Sequence, residues 1–300
     1  MTQYAKYRVS SSYTDKIYRI IVYFVLIVVT LVCFFPFYLV VLNSFTPQSA
    51  IIAGGFKIFP AGFTMDTYRF LFRGDQIFNS YRVTLTVVLV GTTCSVIVTG
   101  MFAYVIAHPK VKIRRVFAFI TYFAMLFGQP LVGFYILMVN FLRLKNTFFA
   151  LFLPYLINPF YCFILVAAFR EFSFELCESA SIDGSSDVNT FFRIVVPVIA
   201  PSIATIALFY ALLFWNDWWL ALLYIDKNSM HPLQMMLRQM ISNLDVSKYL
   251  GGAATHMNIS APNDGIKMAT VCVTIGPILL VYPFIQRFFV KGIAIGAVKG

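Results

Sequence analysis

The sequence predicts an all-α, polytopic membrane protein with about six transmembrane helices, and three observations lead there. Hydrophobic residues make up 60% of the 300 positions and charged residues only 12%, with a mean hydropathy of +0.81. A soluble domain has no interior large enough to hide that much apolar surface. The apolar residues gather into runs of about 20 or more, the length that crosses bilayer hydrocarbon as a helix, and the charged residues sit in short tracts between those runs.

The first run extends from Ile17 to Leu42 behind Lys16 and Arg19. It is too long for the apolar core of a signal peptide and reads as a retained helix. The next runs are Asn79 to Ala107, Val116 to Asn140, Phe148 to Phe169, Ser202 to Tyr224 and Ile266 to Val290. Pro154, Pro159 and Pro283 inside them are tolerable where neighbouring helices cover the freed carbonyls, which favours a packed bundle over a lone anchor.

Placing the N-terminus inside puts Lys6, Arg8, Lys16, Arg19, Lys110, Lys112, Arg114, Arg115, Arg170, Arg193, Arg287, Lys291 and Lys299 on the cytoplasmic side. That is more than half of the 23 basic residues, the bias expected of cytoplasmic loops. Both termini are then cytoplasmic. The tract from His108 to Arg115, in a short turn between two spans, is the strongest part of that bias. Two long segments, Ser44 to Phe78 and Ile225 to Gly265, fall outside; each is either a lid over the bundle or a surface for something external.

The formal net charge is +11. Its scattered basic tracts suit anionic lipid headgroups and argue against a nucleic-acid partner. Cys33, Cys94, Cys162, Cys177 and Cys272 have no C-x-x-C spacing, so neither a disulfide framework nor a zinc site is expected. His231 and His256 lack acid or cysteine partners at ligand spacing and read as surface histidines.

The segment between the fourth and fifth runs, residues 170–201, is where charges and turn residues form a pattern. Phe172, Leu176 and Ala180 recur every four residues on one helical face, with Glu171, Glu175 and Glu178 on others. Asp183-Gly184 stops that helix. Ser185 or Ser186 can cap a second one, with Asp187 at its positive end. Val188, Phe191, Phe192, Val195 and Val196 give the second helix one apolar face, and Pro197 and Pro201 launch the next span. The physical result is a helix, turn, helix elbow at the membrane surface.

Glu178-Ser179-Ala180-Ser181-Ile182-Asp183-Gly184, continuing through Phe191 to Pro197 and Pro201, resembles the EAA loop of ABC-importer permeases. The run from Gln286 to Gly300 resembles the ending of carbohydrate-uptake permeases of the MalG kind, as does Trp215-Asn216-Asp217-Trp218. Ser179 and Ser185 depart from the family, which usually has alanine there; both are small enough for a close helix contact.

The resemblance implies a MalG-like ABC type I importer permease fold. It divides the chain into residues 1–78 (N-terminal tail, first span and external loop), a permease core at 79–290, and a C-terminal tail at 291–300. It also implies that the elbow is a coupling helix seated in a separate ATPase. There Glu178 pairs with a basic residue, Ala180 permits close approach, and Asp183 and Gly184 set the angle, with Phe191 and Pro197 in the same motif. Gly296, Lys299 and Gly300 correspond to a tail reaching between the ATPases.

The implied partners are a second, homologous permease, two ATPase subunits, an extracellular solute-binding protein and a carbohydrate. No G-x-x-x-x-G-K-[ST] loop is present, so the chain is not expected to be an enzyme. It should bind no cofactor of its own, with ATP and magnesium held by the partner.

Trp215, Asn216, Asp217 and Trp218, with Trp219, Tyr155 and Tyr161, could stack on and hydrogen-bond a sugar. Aromatic residues also gather at membrane interfaces in general, and Asp217 suits a helix end equally well. An ion-coupled sugar transporter would want more intramembrane acids than Asp217 and often a repeat. An intramembrane enzyme would need convergent acids, histidines or a nucleophile with its base.

Overall fold

The computed structural model describes residues 13–242 and 264–279, and these are helical apart from turns and short connections. The helices are α1 (Tyr13–Ser44), α2 (Gln48–Gly54), α3 (Asp66–Leu71), α4 (Gln76–Ala107), α5 (Arg114–Leu126), α6 (Leu131–Phe141), α7 (Pro159–Glu171), α8 (Glu175–Ile182), α9 (Asp187–Val198), α10 (Ala200–Asn216), α11 (Trp219–Tyr224), α12 (Leu233–Ile241) and α13 (264–279).

The described residues fall into two compact units, one of residues 13–70 with 264–272, the other of 71–242 with 273–279.

In the first unit α1 is a single helix with none of its most apolar stretch buried, as expected of a span facing lipid or another subunit. Its last turn is polar and buried at Asn43 and Ser44. Asn43 binds both the N–H and the carbonyl of Lys57, at 2.8 and 3.0 Å. Ser44 meets the Tyr68 hydroxyl at 2.8 Å, and Phe45 stacks on Phe63 with ring centroids 5.1 Å apart.

In the second unit α4, α7 and α10 form the centre of the bundle. Their meeting faces supply Val87, Ala103, Ile106, Leu165, Val166, Phe169, Ile206, Tyr210 and Phe214 to one buried core. A π-helical stretch, Val87–Gly91, interrupts α4. Gly91 lies there because a β-carbon would come within 3.0 Å of both Phe152 and Phe214. One polar cluster inside the bundle is internally paired: the Tyr210 hydroxyl meets Thr99 at 2.7 Å and accepts from the Asn158 N–H at 2.8 Å. Asn158 in turn caps α7, its side-chain oxygen Oδ1 accepting from the Phe160 and Tyr161 N–H groups. Such bonds hold helices together in lipid, where apolar packing alone gives little preference for one partner over another.

Three expected spans are not straight. The third breaks between α5 and α6 with a bend of 111°, at Phe127-Gly128-Gln129-Pro130, where proline cannot continue the preceding ladder. The fourth opens in two short 3₁₀ turns and bends by 54° into α7. The fifth ends at Asn216 rather than Tyr224; Asp217 and Trp218 are extended or irregular before α11 begins. The start of the sixth is helical in α13, and residues 280–290 lie outside the described part.

The elbow and the turn beyond the fifth span

The expected elbow is present as α8, a turn and α9, and α9 meets α10 at 88°. Gly184 sits at φ +84°, the left-handed conformation that ends a helix cheaply only at glycine. Its N–H bonds to the Ser181 carbonyl, and the next N–H, of Ser185, reaches back to Ala180. Ser186 caps α9 by accepting from Asn189. Ser185 braces the same turn, accepting from the Asn189 amide at 2.9 Å and from Thr190 at 3.0 Å. An alanine at Ser185 could not do this.

The buried face differs from the expected one. Leu176 is exposed, and α8 turns Cys177 and Ala180 inward, while Phe172 is buried in the link before the helix begins. In α9, Phe191 and Val195 are buried but Val188 and Phe192 are exposed. The reason is the π-helical stretch at Phe191–Val195, which changes the angular step and points Phe191, Val195 and Ile199 into the bundle. Phe191 therefore ties the elbow to α4 and α7, with rings 5.2 Å from Tyr104 and 6.2 Å from Phe169. The outer surface is Glu171, Glu175, Glu178, Ser179, Ile182, Asp183 and Val188. Ile182 is 86% exposed.

Beside this surface lies a cavity of about 440 Å³. Its walls include Tyr104 and His108 from the end of α4, Lys110 and Val111 from the following turn, and Phe174, Glu178, Asp187 and Phe191 from the elbow. The start of the basic tract, His108 to Val111, whose charge predicts a cytoplasmic turn, is thus also a wall of the elbow, a contact that no spacing in the sequence signals. The Lys110 ammonium lies 3.1 Å from the Glu178 carboxylate, both side chains more than half exposed.

His108 stands edge-on to Phe174 at 4.9 Å. Its Nδ1 accepts the Lys110 N–H at 3.2 Å, which requires that nitrogen to be unprotonated. Burial first, and Lys110 second, hold its imidazole below the ordinary pKa.

At the other end of α10 the polar residues are already committed. The Asp217 carboxylate accepts the Leu220 N–H at 3.1 Å and so caps α11. The Asn216 amide donates to Leu212. The Arg238 guanidinium lies 3.6 Å over the Trp218 ring, and Trp218 meets Trp219 edge-on. Tyr161, Phe209, Asn216 and Asp217 still border an open cavity of about 380 Å³. Trp215 and Trp219 do not line it.

In the 225–265 segment His231 is buried, not a surface histidine: it is only 2% exposed, with Nε2 at 3.1 Å from the Ile225 carbonyl. Burial lowers its pKa. Asp226 clips the same segment to the 142–147 turn through Lys145 at 2.9 Å and Asn146 at 2.7 and 3.2 Å. Lys145 holds the Asp226 carboxyl below the usual range. Among the described residues no three histidine, cysteine or acidic side chains gather as a metal site. His256, Gly296, Lys299 and Gly300 lie outside the described residues.

A bent-helix bundle joined by a rigid elbow has the make-up of a membrane-embedded transport subunit. Residues 96–295 match the binding-protein-dependent transport system inner membrane component family, and the chain belongs to it.

The chain is 40% identical to Protein LplC of Bacillus subtilis (strain 168) over 265 residues, covering 88% of this chain and 89% of that one. It is 36% identical to the polygalacturonan/rhamnogalacturonan transport system permease protein YtcP of the same organism, over 288 residues, 95% of this chain and 99% of that one. A crystal structure of a bacterial ABC transporter involved in the import of the acidic polysaccharide alginate contains a similar chain. The TM-score is 0.82 at 25% identity, over 93% of this chain and 98% of that one. The resemblance to ABC-importer permeases and the all-α, type I permease fold are thus borne out.

Proposed function

We propose that this chain is one membrane-spanning half of an importer that takes up a carbohydrate, in oligosaccharide form, at the expense of ATP split elsewhere. An extracellular solute-binding protein delivers the sugar, a second homologous permease completes the pathway, and two ATPase subunits bind ATP and magnesium. The carbohydrate assignment rests on what YtcP and the alginate transporter are named for carrying. The elbow faces the cytoplasm, as do both termini.

The observation that carries the mechanism is the elbow's division of labour. Phe191 and Val195 anchor it in the bundle core, while Glu178, Ile182, Asp183 and Val188 remain exposed on a turn whose angle Gly184 fixes. A rigid-body push on that exposed side is transmitted to α10 through the packed aromatic cluster, because a close-packed core moves as a unit. Glu178 exchanges Lys110 for a basic residue of the ATPase when the complex forms. The exposed pair opposes this weakly, since such pairs contribute about 0–1 kcal/mol. Burial at the interface makes the new pair costlier to truncate, at roughly 2–5 kcal/mol.

Co-purification in mild detergent from the native cell tests the reading. A second permease and a Walker-motif ATPase are expected, with sugar uptake into vesicles that requires ATP. Sugar uptake by this chain alone, without ATP, would show an ion-coupled carrier instead.

A further inference from the structure

The loop after α1 carries an unexplained surface. Ile52, Phe56, Ile58, Phe59 and Phe63 are each more than half exposed, and Phe59 reaches 78%. An external loop in water would not gather five large apolar side chains without a partner.

The loop folds back along α1. Lys57 is bonded through both its backbone N–H and carbonyl to the Asn43 side chain, and the next carbonyl, of Ile58, accepts from the Tyr38 hydroxyl at 2.9 Å. Tyr38 lies six residues before the end of α1 at Ser44, about 9 Å down the helix axis at 1.5 Å per residue. The apolar run of α1 continues to Leu42, so the chain at Ile58 and Phe59 lies level with the end of the hydrocarbon-spanning stretch.

We propose that residues 52–63 form an interfacial anchor that lies in the bilayer edge beside α1, with phospholipid as its partner. Non-helical backbone at that depth is stable only when its polar groups are satisfied by the protein, and Asn43 and Tyr38 satisfy those of Lys57 and Ile58. The side chains facing away are aromatic and aliphatic, the types that settle at the headgroup level. Lys57 brings its ammonium back to the Gly54 carbonyl at 3.4 Å, so a protein oxygen meets the charge. Phe35, Phe37 and Val41 near the end of α1 are exposed as well. Asn43 and Tyr38 thus act as pins that let an irregular loop enter lipid.

The test is a photo-crosslink in native membranes containing the whole importer. Phe59→p-benzoylphenylalanine, and separately Ile52→p-benzoylphenylalanine as insurance against a folding failure at one site, are irradiated and digested. The expected result is a mass increase of one phospholipid on the labelled peptide at either site. Adducts only to another protein chain would make the surface a subunit interface and overturn the lipid anchor. Recovery of unmodified probe at both sites would place the loop in water and overturn it equally.

Discussion

The two ends of α10 carry similar polar and aromatic residues but use them differently. At the start, in the elbow, Glu178, Asp183 and Ile182 stay on the surface, and Glu178 meets Lys110. At the far end, Asp217 is spent on capping α11, Asn216 on the Leu212 carbonyl and Trp218 on Arg238. A group already satisfied inside its own chain must break a bond before it can hold a partner. The elbow therefore leaves its polar groups available, as the proposed docking requires, and the far turn spends its own on holding its shape.

The contrast is broken most severely at Gly184. A β-branched residue at φ +84° carries strain of about 1–3 kcal/mol, so Gly184→Val should cut ATP-driven uptake by about tenfold or more. The helical content of the bundle, read by circular dichroism, should stay unchanged. At the far end Asp217→Ala removes a helix cap worth about 1 kcal/mol and should lower the melting temperature. Asp217→Asn, which can still accept the Leu220 N–H, should restore it. If Asp217→Asn instead keeps stability but raises the KM for sugar, the carboxylate contacts cargo and the contrast fails.

Arg238→Ala should cost about 0.5–2 kcal/mol of stability from the lost stacking on Trp218, with little effect on ATPase binding. Smallest is Lys110→Ala, within about 1 kcal/mol for an exposed pair; it should leave the melting temperature nearly unchanged and slightly tighten ATPase co-purification by freeing Glu178.

On the elbow side a pH effect is carried by His108. His108 is held below its ordinary pKa of about 6.5, so on acidification the unfolded turn binds a proton before the folded one. The stability contributed there is present above that value and lost as pH falls below it. The groups acting on His108 are Lys110 and Arg114, which oppose protonation, and Asp187 and Glu178, which favour it. Melting curves from pH 7.5 to 5.5 should fall more for the native chain than for His108→Gln. Equal slopes would remove His108 from the account.

The spans were legible because long apolar runs admit few other structures, and the stop at Asp183-Gly184 because glycine alone sits cheaply at that φ. The bend before Pro130 was also marked, by Gly128 and Pro130, but length alone reads through such a break. The buried face of the elbow was not legible, for two physical reasons. The π-helical stretch at Phe191–Val195 shifts the periodicity on which the helical template depends. Ile182, Leu176 and Val188 are apolar yet exposed in the single chain, so equating apolar with buried fails where a surface awaits a partner. His231 is buried against a carbonyl six residues back, a contact that depends on a chain reversal no spacing rule reveals. Lys110 approaches Glu178 across 68 positions for the same reason.

The most direct test of the elbow's role is a photo-crosslinker at Ile182, the most exposed apolar side chain of the turn, in membranes holding the assembled complex. An adduct to a Walker-motif ATPase, lost when the elbow is mis-set by Gly184→Val, is the predicted result. Adducts to lipid alone would make the elbow an interfacial pad and contradict the proposed coupling.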